Sequence, residues 1–119
     1  MKKILLICLL ISCGKTSTET VLSAQDFKAK YSETKSALLL DVRTEQEIAN
    51  GKIMKAQNIV YDDAFSTKLD TLRQQPIFVY CGSGKRSAKA AKILRDKGFE
   101  VYELEGGITA WQNAGLAIN

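Results

Sequence analysis

Ile77-Phe78-Val79-Tyr80-Cys81-Gly82-Ser83-Gly84-Lys85-Arg86-Ser87 is the stretch from which the rest of this 119-residue chain can be read. The apolar run opened by Pro76 has the pattern of a strand covered on both faces, and Ser87 to Lys97 repeats Ala90, Ile93 and Leu94 with helical spacing. A strand, a glycine loop and a helix in that order begin a strand–helix–strand unit of a parallel sheet. Gly82 and Gly84 admit backbone angles closed to other residues, so successive amides can turn inward as a nest for an anion. The helix N-terminus adds partial positive charge, and Lys85 and Arg86 add whole charges. Cys81 in that setting is expected to be largely thiolate at neutral pH, its pKa brought from about 8.5 into a range of about 3.5 to 7.5. No histidine occurs anywhere in the chain, which removes the base that cysteine hydrolases use.

Outward from the loop, apolar runs alternate with helix-period segments, the pattern of an α/β domain with a largely parallel sheet. Ser23 and Asp26 resemble a capping box opening a helix through about Tyr31, with Phe27 and Tyr31 on one face. Ala37 to Val42 reads as a buried strand, Glu45 to Ala49 as a short helix closed by Asn50-Gly51, and Ala56 to Tyr61 as another strand. Asp63 to Leu72 carries Phe65, Leu69 and Leu72 at helical spacing. Gly98 ends the helix from Ser87, Val101 to Leu104 is a last strand, and Gly106-Gly107 leads into a short helix bearing Trp111. In an open parallel sheet, ligands bind outside the carboxyl ends of the strands. Asp41-Val42-Arg43 and Cys81 both fall at such ends, so topology alone brings them to one edge. Trp111 and the tyrosines are expected to pack, and Lys89, Lys92 and Lys97 to form a solvated helix face.

The first thirteen residues read as an address. Lys2 and Lys3 precede the apolar run Ile4 to Ile11, which has the length of a secretory h-region and is too short to span a bilayer. Leu10-Ile11-Ser12-Cys13 then resembles the bacterial lipobox, in which a peptidase cuts before the cysteine and the new N-terminus carries lipid. On this reading residues 1–12 are a signal peptide, 13–20 a lipidated tether able to hold the domain within about 25 Å of the membrane, and 21–119 the domain. The expected location is the cell envelope, lipid-anchored to a membrane. Cys8 leaves with the signal and Cys13 becomes a thioether, so of three cysteines Cys81 alone remains a thiol. It has no partner for an internal disulfide.

Formal charge is +4, and +2 once Lys2 and Lys3 are discounted, too mild for a nucleic-acid face. One free thiol without histidine argues against a metal site, and nothing in the sequence calls for a cofactor.

At these residues the chain resembles the rhodanese-like domain family over most of Val21 to Asn119. The family's loop pattern is matched by Cys81, Gly84, Arg86 and Ser87. Supporting matches are Asp41-Val42-Arg43 with Glu45 and Glu47 behind it, Ala56-Gln57-Asn58-Ile59, and Leu104-Glu105-Gly106-Gly107-Ile108 with Trp111. The resemblance implies a single rhodanese-like α/β domain, a five-stranded parallel sheet flanked by helices. It implies a sulfurtransferase whose cysteine takes a sulfane sulfur from a small donor such as thiosulfate and passes it to a thiol, a cyanide-like acceptor or a protein. Cys81 would be the nucleophile. The amides of Gly82, Ser83, Gly84, Lys85, Arg86 and Ser87 would hold the persulfide or donor oxyanion, Lys85 and Arg86 would attract the donor, and Asp41 and Arg43 would brace the loop. One departure is clear: the family commonly has histidine, isoleucine, proline and glycine where this chain has Lys52, Ile53, Met54 and Lys55, so that loop is expected to differ in shape.

Two other classes use similar parts. A tethered persulfide carrier or binding module would serve one dedicated partner. A phosphatase or arsenate reductase also cradles a tetrahedral oxyanion in a cysteine loop, but such loops place one residue more between cysteine and arginine than the four between Cys81 and Arg86.

Overall fold

A computed structural model describes residues 19–119, so the signal-peptide, tether and Cys13 readings fall, wholly or in large part, outside the described residues. The elements alternate along the chain: β1 (Val21–Leu22), α1 (Ala24–Glu33), β2 (Leu38–Asp41), α2 (Glu45–Ala49), β3 (Gln57–Asn58), α3 (Phe65–Lys68) followed by a 3₁₀ turn at Leu69–Thr71, β4 (Ile77–Tyr80), α4 (Lys85–Asp96), β5 (Val101–Leu104) and α5 (Gly107–Asn113). The strands form one five-stranded sheet in the order β1-β5-β4-β2-β3, and every pairing is parallel. The expected architecture is therefore the observed one.

Differences from the sequence reading lie at the margins of elements. Of the five strands the resemblance implies, the sequence locates four and leaves β1 unplaced; its two residues pair with Glu103 and Leu104, too short a run to show a period. The segment read as a strand from Ala56 to Tyr61 has ladder geometry only at Gln57–Asn58, where the chain serves as the sheet's edge. Asp63 to Leu72 splits into a four-residue α-helix and a 3₁₀ turn. Helix α4 begins at Lys85 rather than Ser87, because Gly84, at φ +104°, makes the turn into it.

β4 is the centre of the molecule. Ile77, Phe78, Val79 and Tyr80 are all buried, as a strand covered on both faces requires. Ile77, Val79 and Cys81 pack with Phe65, Leu69, Ala90, Ala91 and Leu94 on one face, while Phe78 and Tyr80 pack with Phe27, Leu104, Ile108 and Trp111 on the other. Phe27 meets both Phe78 and Trp111 edge-on, an arrangement favoured by the aromatic quadrupole. Trp111 satisfies its buried indole by donating to the Ala117 carbonyl at 2.9 Å.

The loop after α2 makes a left-handed turn at Lys55. Lys55 has φ +76°, a conformation that costs a side-chain-bearing residue about 1–2 kcal/mol. The turn is held by its surroundings: Lys52 and Asn119 exchange two backbone hydrogen bonds, and the Ile53 N–H donates to the Tyr80 hydroxyl at 3.1 Å. Met54 is exposed beside an apolar cleft of about 220 Å³ walled by Phe27, Tyr31, Leu39 and Trp111. This cleft is on the sheet face opposite Cys81.

At the carboxyl end of β2, Asp41 is wholly buried and Arg43 nearly so. The Arg43 guanidinium donates to both Asp41 oxygens, with Nη2 to Oδ2 at 2.8 Å, and to the Gly51 carbonyl at 2.8 Å. Removing one member of such a pair strands a charge in the interior, a loss of about 3–5 kcal/mol. Asp41→Ala is expected to lower the unfolding free energy by about that amount in urea titration. A loss below about 1 kcal/mol would show that the pair does not hold the corner together.

Candidate active site

The residues that follow β4 turn so that their N–H groups face back toward the strand. Cys81 is fully buried beside the apolar cluster of Phe65, Leu69 and Leu94, yet its sulfur also has polar partners. Sγ accepts from the Gly84 N–H at 3.1 Å and from the Ser87 N–H at 3.3 Å. Ser87, itself buried, donates its hydroxyl to the Gly84 carbonyl at 3.3 Å and tightens the loop across the first turn of α4. Burial alone pushes the Cys81 thiol up; hydrogen bonding from Ser87, Gly84 and Ser83 outweighs it and brings the thiol below its ordinary value. The lowered thiol expected from the sequence thus rests on hydrogen bonds from the loop and the first turn of α4.

A second layer fixes where those amides point. The Ile108 N–H donates to the Cys81 carbonyl at 2.9 Å and the Thr109 N–H to the Gly82 carbonyl at 3.3 Å. These bonds turn the loop carbonyls toward α5, leaving the N–H groups free to face the sulfur. Such an approach requires Gly107, which sits at φ +64°; a Cβ there would lie 2.4 Å from the Gly82 oxygen and 2.5 Å from the Cys81 oxygen.

Arg86 is engaged as well. Its Nη1 and Nη2 donate to Glu47 Oε1 and Oε2 at 2.7 and 2.9 Å, a bidentate pair. Hydrogen bonding to Arg86 holds the Glu47 carboxyl down to about 2, so the pair stays charged at any working pH. Glu47 is also the partner of Thr44 in a capping box at the start of α2. Lys85 is exposed and has no acidic partner among the described residues. Gly82 leaves room for the clasp, since a side chain there would meet Arg86 Nη2 at 3.2 Å.

The candidates from Cys81 to Ser87 therefore lie in the loop after β4 and the first turn of α4, at the carboxyl edge of the sheet. Asp41 and Arg43 stand behind it, linked to Tyr80 by the Arg43 guanidinium 5.8 Å from that ring's centre. Gly107, Ile108 and Thr109 supply contacts that the sequence reading did not assign, although Gly106-Gly107 was visible as a turn. Glu47 was visible only as an acidic residue. Among the described residues no group of histidine, cysteine, aspartate or glutamate side chains is arranged to hold a metal ion.

The model of the rhodanese-like domain matches residues 23–114. The chain belongs to the rhodanese-like domain family. It is 32% identical over 98 residues to a sulfurtransferase of Allochromatium vinosum, covering 82% of this chain and 92% of that one. A rhodanese-related protein of Thermoplasma volcanium superposes with a TM-score of 0.73 at 28% identity, covering 85% of this chain and 98% of that chain. A rhodanese-like domain protein of Staphylococcus aureus gives 0.71 at 31% identity, covering 85% and 99%. Membership in this sulfurtransferase family accords with the sulfur-directed loop.

In this rhodanese-like domain, the rate of Cys81 alkylation by iodoacetamide against pH is expected to rise with a midpoint below the free-thiol value of about 8.5. Gly107→Ala should move that midpoint upward by displacing the loop carbonyls. A wild-type profile at the free-thiol value would mean that the amides do not stabilise the thiolate.

Proposed function

We propose that the protein is a thiosulfate:acceptor sulfurtransferase that works through a Cys81 persulfide, exported and lipid-anchored in the cell envelope through Cys13. The observation that carries the catalytic reading is the convergence of the Gly84 and Ser87 amides on Sγ. Donors in that position stabilise a thiolate before the reaction and a sulfur anion after it.

The steps balance without an added oxidant. The Cys81 thiolate attacks the sulfane sulfur of thiosulfate, a sulfur–sulfur bond forms, and the original sulfur–sulfur bond breaks as sulfite leaves with its electron pair. The inner sulfur stays beneath the amides while the outer one is presented to the acceptor. Cyanide or a thiolate then attacks the outer sulfur, and Cys81 leaves as the thiolate from which it started.

The phosphatase alternative is disfavoured by more than loop length. An arginine that binds a phosphoryl group must turn its guanidinium into the cradle, whereas both terminal nitrogens of Arg86 are committed to Glu47. The carrier reading uses the same persulfide and differs only in turnover.

Thiocyanate formation from thiosulfate and cyanide should give parallel double-reciprocal lines, and Cys81→Ser should lower it to the uncatalysed rate. Hydrolysis of an aryl phosphate without any sulfur transfer would reverse the assignment. Slow turnover with persulfide already present on the isolated protein would select the carrier. For the anchor, wild-type cells fed a labelled fatty acid should incorporate label into the protein and Cys13→Ser should not. Equal labelling of both would overturn that part.

A further inference from the structure

The geometry points to Glu47 as a specificity-determining residue that masks the charge of Arg86 and so holds down the attraction of the active-site loop for small anionic donors. The inference rests on the sulfurtransferase reading for its substrate and on bidentate geometry for its cause.

Of the two cations that follow the glycines, Arg86 is paired and Lys85 has no acidic partner among the described residues. Arg86 is joined to Glu47 by two charge-assisted hydrogen bonds of 2.7 and 2.9 Å, which brings the summed charge of the pair to zero. The clasp lies against the loop itself: a side chain built on Gly82, the neighbour of Cys81, would come within 3.2 Å of the arginine and 3.6 Å of the carboxylate. An approaching anion therefore meets a dipole at Arg86 and a full charge only at Lys85. Both partners of the clasp are about one-third exposed, so solvent and salt screen them, and their effect belongs to donor capture more than to bond making.

Glu47 can be neutralised with little cost to the fold. A glutamine keeps an oxygen for the Thr44 N–H, which Glu47 Oε1 accepts at 3.0 Å, so the cap of α2 survives while the mask is lost.

The test is a charge cycle at low ionic strength on the full protein, using thiosulfate. Glu47→Gln should lower the KM for thiosulfate about threefold to tenfold, because a bare cation then faces a dianion. Arg86→Gln, which leaves the carboxylate bare, should raise it by a similar factor. The double variant should return close to wild type, and salt should compress all the differences. A purely bracing clasp predicts instead that each single variant loses kcat and that the double is no better than the worse single. That pattern, or an unchanged KM in Glu47→Gln, would overturn the proposal.

The ratio of Cys81 alkylation by anionic iodoacetate to that by neutral iodoacetamide reads the same potential without sulfur transfer. It should rise in Glu47→Gln, fall in Arg86→Gln and recover in the double. Should no variant transfer sulfur while the ratios follow this order, the sulfurtransferase reading fails and the charge mask stands. Flat ratios beside normal transfer sink the mask alone.

Discussion

Everything at this site depends on one constraint: two backbone N–H groups must point at one sulfur. Glycine and helix geometry meet it together. Gly84 at φ +104° turns the chain into α4, and the first turn of that helix presents the Ser87 amide to Sγ. Buried without these donors, a cysteine at the end of β4 would be an inert thiol, because desolvation disfavours its charged form. With them, burial becomes useful, since amide dipoles act more strongly away from water.

The surrounding layers serve that orientation in different ways. Behind the loop, the buried Asp41–Arg43 pair ties the end of β2 to Gly51, fixing the corner from which α2 starts. To one side, Gly107 lets α5 approach closely enough for Ile108 and Thr109 to take the loop carbonyls. On the other, Glu47 takes Arg86 and in the same carboxylate caps α2. Strand, helix and loop are thus joined through Arg43, which binds both Asp41 and Gly51, through Glu47, which binds both Arg86 and Thr44, and through the Ile108 and Thr109 amides.

Much of this was legible in the sequence because the signals were local and strong. The run Ile77 to Tyr80 and the helix period after Ser87 placed Cys81 at a strand end, and two glycines marked the nest. β1 was not legible, since two residues carry no period and acquire strand geometry only by pairing with β5. The partner of Arg86 was not legible either, because Glu47 lies thirty-nine positions away and its spacing suggested only a helix surface. The stereochemical role of Gly107 required knowing that the Cys81 and Gly82 carbonyls face it. Lys55 shows the reverse case, a left-handed residue without the glycine that would have announced it.

Intact-mass analysis of the protein before and after incubation with thiosulfate, followed by cyanide, tests sulfur uptake and sulfur release at Cys81 together. A stabilised thiolate that accepts and releases sulfane sulfur predicts a gain of one sulfur atom per chain, located at Cys81, and its loss on adding cyanide. An unchanged mass while Cys81 remains open to alkylation, or an equal gain in Cys81→Ser, would show that the sulfur cradled by Gly84 and Ser87 is not the one that reacts.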